Sequence, residues 1–269
     1  MDEYYDVNRR RWNELVPVHL RSSFYNVAGF RAGQTSLHSL ELEELGDVRG
    51  KSLLHLQCHF GLDTLSWARE GAIATGVDFS NPAIEAARSL ATECEIDARF
   101  VLSDVYSLPG KLDEQFDIIY TSYGVTFWLP DLSRWAEVIA RFLRPGGTFY
   151  IVEFHPAAGI FDNEPDVTDL VVRYPYFPSG EPLRFEDDGS YADRSAKLKH
   201  RTTYSWPHPI SEVVTSLIAA GLRLEFLHEF PFTIEHVFPF MEQGPDAYWR
   251  LMKGDGSVPL LFSIKATKL

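Results

Sequence analysis

Between Lys51 and about Glu153 the apolar positions fall into short dense runs, separated by stretches with helical spacing. Runs such as Phe116-Asp117-Ile118-Ile119-Tyr120 and Thr148-Phe149-Tyr150-Ile151-Val152 suit strands covered on both faces. The pattern predicts strands over 52–57, 73–77, 98–102, 116–121 and 147–154, with helices over 62–70, 81–93 and 131–143. Asn81-Pro82 is a helix start, with Asn as N-cap and Pro at the first helical position. Pro130-Asp131 starts the 131–143 helix, and Pro145-Gly146-Gly147 stops it and turns into the next strand. Such strand–helix alternation implies an α/β fold built on a doubly wound, mostly parallel sheet of seven strands.

The flanks read differently. Residues 1–50 form an N-terminal helical cap segment: Tyr5, Trp12, Leu15 and Val16, then Leu37, Leu40, Leu42 and Leu45, recur at helical spacing, with an aromatic loop over Ser22–Phe30 between them. Residues 51–155 are the α/β core. Residues 156–208 are rich in Pro, Gly, Asp and aromatics, with weak alternation near 182–192 and 198–206. They read as an inserted lid, with a possible hairpin, hinged near Trp206-Pro207-His208-Pro209. Residues 209–269 return to the core with a helix over 209–220, Gly221 ending it, and strands over 222–229 and 260–267.

Composition narrows the function. The 269 residues carry 25 basic and 38 acidic side chains, a net charge of −13. That balance argues against nucleic acid or an anionic membrane as partner, since either calls for a basic stripe. The densest basic run, Lys197-Leu198-Lys199-His200-Arg201, reads as a solvated strand or loop. Cys58 and Cys94 make no disulfide framework and suit a reducing, cytoplasmic setting. An acidic Met1–Tyr5 start without an apolar core leads us to expect no signal peptide, and no run of about 18 apolar residues suggests a transmembrane helix. The histidines lack zinc spacing, so no metal is expected. No G-x-S-x-G marks a serine hydrolase.

The chemistry concentrates where the first strand ends, at His55-Leu56-Gln57-Cys58-His59-Phe60-Gly61. A strand, tight turn and helix, followed about twenty residues later by Asp78 closing a second strand, is the order of a nucleotide crevice. A dinucleotide loop needs G-x-G-x-x-G, and only Gly61 is present. Without glycine, the turn is expected not to use positive φ at Gln57 or His59.

Five segments together resemble the class I S-adenosylmethionine-dependent methyltransferases. In their first motif, roughly D-x-G-x-G-x-G, His55 takes the acid position and Gln57, His59 and Gly61 the glycines. Asp78 matches the second-strand acid and Asp104, in Leu102-Ser103-Asp104-Val105, the third. Phe116–Tyr120 matches the fourth-strand motif, and Leu143-Arg144-Pro145-Gly146-Gly147 the following turn. The first motif is similar to that of a bacterial subgroup whose turn carries His and Gln. The resemblance covers residues 50–155, and 209–269 as the closing elements.

It implies S-adenosylmethionine as cofactor and S-adenosylhomocysteine as product. Asp78 then accepts from the ribose hydroxyls, Phe79 packs on adenine, Asp104 accepts from the adenine amino group, the Val105 N–H reads a ring nitrogen, and Gly61 admits the cofactor closely. His55 is either a packed core histidine or a cofactor contact; Gln57 and His59 offer side-chain polar groups; Asp63 and Thr64 read as helix caps. Tyr25 and Trp12 are candidates to close the pocket on a cationic sulfonium. Thr121, Ser122 and Tyr123 follow the fourth strand, Glu153 and His155 the fifth. His155 is the leading candidate general base, with Glu153 and Tyr123 as further catalytic candidates and Thr121 as a cofactor contact. The reading is methyl transfer to a small-molecule acceptor at O, N or C, by a monomer or homodimer. An NAD(P)-binding oxidoreductase and a non-catalytic relative of the fold are the alternatives.

Overall fold

The computed structural model describes residues 2–253 and 256–269. Three helices open the chain: α1 (Asp2–His19), α2 (Val27–Arg31) and α3 (Ser39–Leu45). The alternating core follows, with β1 (Ser52–Leu56), α4 (Leu62–Arg69), β2 (Ile73–Asp78), α5 (Asn81–Glu93), β3 (Ala98–Leu102), β4 (Phe116–Ser122), α6 (Leu132–Phe142) and β5 (Leu143–Phe154). The insertion carries β6 (Leu183–Glu186) and β7 (Thr202–Ser205), and α7 (Ile210–Ala219) and β8 (Leu222–Phe230) come next. Three short strands, β9 (Phe232–Thr233), β10 (Met241–Gln243) and β11 (Trp249–Leu251), precede the final strand β12 (Leu261–Lys268).

Seven strands form one sheet in the order β3-β2-β1-β4-β5-β12-β8. The pairings from β3 through β5 are parallel. β12 lies antiparallel to both β5 and β8. The chain runs outward from β1 through β2 to β3, then returns to the other side of β1 with β4. The carboxyl ends of β1 and β4 therefore flank the switch point where an open α/β sheet binds its ligand.

Alternating side chains fill both faces. Leu54, Leu56, Ile119, Phe149 and Ile151 pack with Trp135 and Ile139 of α6 and Leu217 of α7. On the other face Leu53, Ile118, Tyr120, Tyr150 and Val152 meet Trp67 of α4 and Leu45 of α3. Phe60, Leu65, Ile84, Ala87 and Phe100 join Val16, Val27 and Phe30 of the N-terminal helices. Trp67 and Trp135 are fully buried, one per face.

Several details differ from the sequence expectation. Ser80, not Asn81, caps α5, its hydroxyl accepting the Ala83 N–H at 3.3 Å. Asn81 instead donates to Glu85 at 2.7 Å. Pro145-Gly146-Gly147 lies within β5, which starts directly at Leu143 and slips register against β4. The expected loop over Ser22–Phe30 contains the start of α2, capped by the Asn26 side chain. The β9–β10–β11 sheet was not foreseen, because strands of two or three residues are too short to show a period.

Candidate functional site

The turn after β1 is where sequence and structure disagree most. Gln57 and His59 both adopt left-handed backbone, φ 56° and 51°, as does Gly61 at 79°. The expectation that missing glycines preclude positive φ is overturned. The chain keeps the path a glycine turn would take and carries side chains along it, at roughly 1 kcal/mol of strain each. Surrounding bonds hold it there. Gln57 Nε2 donates to the Val125 carbonyl at 3.1 Å. The Cys58 N–H reaches Val77 O at 2.9 Å, and the His59 N–H reaches Asp78 Oδ2 at 2.9 Å. Gly61 has a packing reason to be glycine: a Cβ there would lie 2.6 Å from the Phe100 ring and 3.0 Å from Ala87 Cβ.

Asp78 closes β2 beside this turn. It is 7% exposed, and its second oxygen accepts the Ser80 N–H at 2.9 Å. Burial pushes its carboxyl up to about 7, against the pull of the backbone donors. Each oxygen accepts one amide in the chain and keeps a lone pair for a further donor. The Tyr5 ring on α1 packs edge-on against Phe79 at 5.2 Å, and its hydroxyl feels both Asp78 and Asp104. Asp104 Oδ1 accepts the Ser107 N–H at 2.9 Å. The Val105 side chain is buried in the core. The 57–59 turn, Asp78, Phe79, Asp104 and Tyr5 thus border one crevice. Two carboxylate acceptors spaced along it beside a left-handed backbone turn fit the hydroxyl and amino donors of an adenosine group.

His55 belongs to the core rather than to the crevice mouth. It is 2% exposed. Nδ1 lies 2.9 Å from Thr64 Oγ1 and Nε2 3.4 Å from Ser122 Oγ. Burial lowers its pKa to about 3, so it is neutral. Thr64 is therefore not a cap, and neither is Asp63, whose oxygens accept Ser36 Oγ at 2.6 Å and Ser122 Oγ at 3.0 Å. Thr121 is fully buried in β4, and its hydroxyl has no partner.

The expected catalytic residues are engaged elsewhere. Glu153 is fully buried. Its carboxylate accepts the N–H groups of Gly124, Val125, Thr126 and Phe154, plus the Thr126 hydroxyl, at 2.5–3.2 Å. Its lone pairs fasten the turn after β4, which leaves it unsuited to shuttle a proton. Tyr123 sits in that turn at φ 26° and donates to Glu41 Oε2 at 2.5 Å. Glu41 on α3 is fully buried, also accepts from Tyr120 at 3.3 Å, and is pushed up to about 8 by burial. Tyr123 is thus tied to the helical cap. His155 turns toward the far edge of the sheet. Its Nδ1 accepts the Ala157 N–H at 3.1 Å and its Nε2 lies 2.9 Å from a Glu229 oxygen on β8. Nδ1 is occupied, Nε2 faces the half-exposed Glu229 carboxylate without a well-aligned hydrogen bond, and burial lowers its pKa. The geometry does not place His155 as a base at the crevice.

The structure adds residues that sequence reasoning missed. α1 grips the insertion along one face. Asn8 exchanges two 2.8 Å bonds with the Tyr204 backbone. Glu14 accepts the Lys199 and His200 N–H groups at 2.8 and 2.9 Å. Arg11, 6% exposed, donates to the carbonyls of Asp187, Gly189, His200 and Arg201 at 2.7–3.2 Å. On its neighbouring face Trp12 and His19 pack on the His59 ring at 5.3 and 5.1 Å. His59 Nε2 meets His19 Nδ1 at 2.9 Å, and His19 Nε2 meets Ser190 Oγ of the insertion at 2.8 Å. Tyr25 stacks on His19 at 5.1 Å, and its hydroxyl bonds that of Tyr191. The insertion is therefore tied to the cofactor turn through α1. The spacing Asn8, Arg11, Leu15, His19 was the available signal, hidden because a buried polar stripe looks like a solvated face.

Among the described residues no three His, Cys, Asp or Glu side chains are grouped to hold a metal, and no described helix is long and apolar enough to cross a membrane.

Comparison with known proteins agrees with this geometry. Residues 54–151 match the family described as Methyltransferase domain. The chain is 32% identical over 108 residues to the ubiquinone biosynthesis O-methyltransferase of Klebsiella pneumoniae, covering 40% of this chain and 44% of that protein. Its counterpart from Alkalilimnicola ehrlichii is 32% identical over 103 residues, covering 38% and 41%. The chain therefore spans less than half the length of the curated relatives it matches. Among solved structures, an S-adenosylmethionine-dependent methyltransferase from Mesorhizobium loti superposes with a TM-score of 0.60 at 18% identity, covering 88% of this chain and all of that one. The CcbJ methyltransferase from Streptomyces caelestis gives 0.61 at 14% identity, covering 97% and 100%. These two likenesses speak for the fold. Residues 54–151 thus carry a match to a methyltransferase domain, set on a seven-stranded sheet whose fold is that of S-adenosylmethionine-dependent methyltransferases.

Proposed function

We propose that this chain binds S-adenosylmethionine in the crevice between β1 and β4 and methylates a small molecule. The observation that carries the reading is Asp78, whose carboxylate is held at the turn by two backbone amides with capacity left for a ribose diol. Phe79 and Tyr5 supply the apolar wall for adenine, and Asp104 an acceptor at its edge. The bound cofactor would supply an electrophilic methyl group on sulfur. The chain's contribution is to orient the acceptor and exclude water, which accounts for most of the gain in a displacement between two bound molecules. Residues 1–50 and 156–208 act together as the cap, joined by Arg11 and by the His59–His19–Ser190 series. The net charge of −13 and the enclosed aromatic lining favour a small acceptor over nucleic acid.

Thermal unfolding with S-adenosylmethionine, S-adenosylhomocysteine, NAD and NADP tests this. A ligand at 100 times its dissociation constant stabilises by about 2.7 kcal/mol. The adenosyl ligands should raise the midpoint and the nicotinamides should not. A shift with NAD alone would favour an oxidoreductase, and a shift with neither class at millimolar concentration overturns the reading.

A further inference from the structure

A file of hydrogen bonds runs from the insertion to the turn after β1, and hydrogen-bond satisfaction fixes the order of its protons. Ser190, 3% exposed, accepts the Ala192 N–H at 3.1 Å. Its hydroxyl lies 2.8 Å from His19 Nε2, the one acceptor it meets among the described residues. With a proton on His19 Nε2, the serine oxygen would take two donors, and its own proton would be buried with no acceptor. Ser190 therefore donates to His19. His19, fully buried, then carries its proton on Nδ1 and donates to His59 Nε2 at 2.9 Å. Desolvation keeps both rings neutral, so the single ring proton of His59 sits on Nδ1. That nitrogen meets no partner among the described residues, and the His59 side chain is half-buried.

The free N–H belongs to the crevice wall. The His59 main-chain N–H is bonded to Asp78 Oδ2 at 2.9 Å, and Trp12, Tyr25 and Phe60 pack on its ring at 4.4–5.5 Å. A cofactor whose ribose sits on Asp78 lies against this turn, and its carboxylate is its one anionic group. Arg11, the cation that bears on His19, is committed to four carbonyls of the insertion. We propose that Ser190 and His19 are positioning residues, through which the insertion holds His59 as a neutral hydrogen-bond donor to the carboxylate of the cofactor. The proposal rests on the methyltransferase reading above. A donor fixed before binding needs no change of tautomer, and an N–H to a carboxylate is stronger than one between neutral partners. The insertion thereby takes part in selecting the cofactor without Ser190 touching it.

Nitrogen NMR of the full chain without ligand reads the tautomer directly. The wild type should show His59 protonated at Nδ1, and Ser190→Ala should admit the form protonated at Nε2. Calorimetry then compares S-adenosylhomocysteine with its decarboxylated analogue, which keeps the amine. Ser190→Ala removes the fixed tautomer but leaves the imidazole, so it should weaken S-adenosylhomocysteine by roughly five- to tenfold, less than the loss of a whole charged hydrogen bond. Binding of the analogue should stay within about twofold, and Ser190→Thr should restore both readouts. A wild-type His59 protonated at Nε2, or an equal change for the two ligands in Ser190→Ala, including none, overturns the proposal. Failure of S-adenosylhomocysteine to bind the wild-type chain overturns the underlying reading instead.

Discussion

Replacing Arg11 by alanine should uncouple the insertion from the helical cap. The Arg11 guanidinium is almost fully enclosed and donates to four backbone carbonyls, at Asp187, Gly189, His200 and Arg201. The Asp187 carboxylate lies a further 3.5 Å away and is itself exposed, so it adds little. A hydrogen bond from a charged donor contributes about 1.5–3 kcal/mol, but burial of the guanidinium offsets part of that gain. Removal leaves the four carbonyls without their donor, and water entering from the insertion's surface recovers some of them. The expected loss is about 3–4 kcal/mol, within the range for breaking a buried charged network. Arg11→Lys should recover less than half, since a single ammonium cannot match the fork. Urea unfolding measures the total, and hydrogen exchange at residues 187–204 locates it. Exchange there should accelerate while the β1–β4 amides stay protected. A loss below 1 kcal/mol, or uniform acceleration across the sheet, would refute the reasoning.

Other substitutions separate the roles assigned above. His155→Gln should leave S-adenosylhomocysteine binding intact and lower turnover less than threefold; a drop of a hundredfold would return His155 to the active site. Glu153→Gln strips a charge from a carboxylate that four amides and a hydroxyl face, and should cost about 2–4 kcal/mol in thermal unfolding; an unchanged midpoint would contradict its fastening role. Stability should fall as pH rises from 6 to 8. Folding raises the carboxyls of Asp78 and Glu235 to about 7 and Glu41 to about 8. Their stabilising contribution is complete below the unfolded carboxyl range and fades as pH rises through the folded values. His19 and His55, lowered to about 4 and 3, act oppositely, but their contribution is largely complete by pH 7. The net decline should be on the order of 5 kcal/mol, measured by denaturant titration at each pH, and should shrink in Asp78→Asn. A rise over that interval would contradict the assignment.

The core was legible because each of its signals is local. Apolar runs of five or six residues gave β1 through β5, and amphipathic spacing gave α4, α5 and α6 within a residue or two. Asp78 and Asp104 could be placed because an acid ending a strand keeps its position in the fold regardless of what covers it. His155, Glu153 and Tyr123, expected as catalytic candidates, are engaged within the fold for a common reason. A polar residue at the end of a strand looks functional in sequence, but whether its lone pairs are already taken depends on segments far away, here Glu229, the 124–126 amides and Glu41. The turn at Gln57 and His59 went wrong because propensity favours glycine there, whereas the Asp78 and Val125 contacts over-determine the backbone. Arg11 and His19 escaped notice since their partners lie in the insertion, whose short strands show no period.

The central claim is that Asp78 anchors an adenosyl cofactor despite the glycine-poor turn. Calorimetric titration of S-adenosylhomocysteine into the wild-type chain and Asp78→Ala tests it most directly. The wild type should bind at one site. Loss of two hydrogen bonds to a carboxylate, about 2–3 kcal/mol in all after solvent replacement, should weaken Asp78→Ala by roughly 30- to 150-fold. Equal affinity in the two proteins, or no binding by the wild type, would contradict the account.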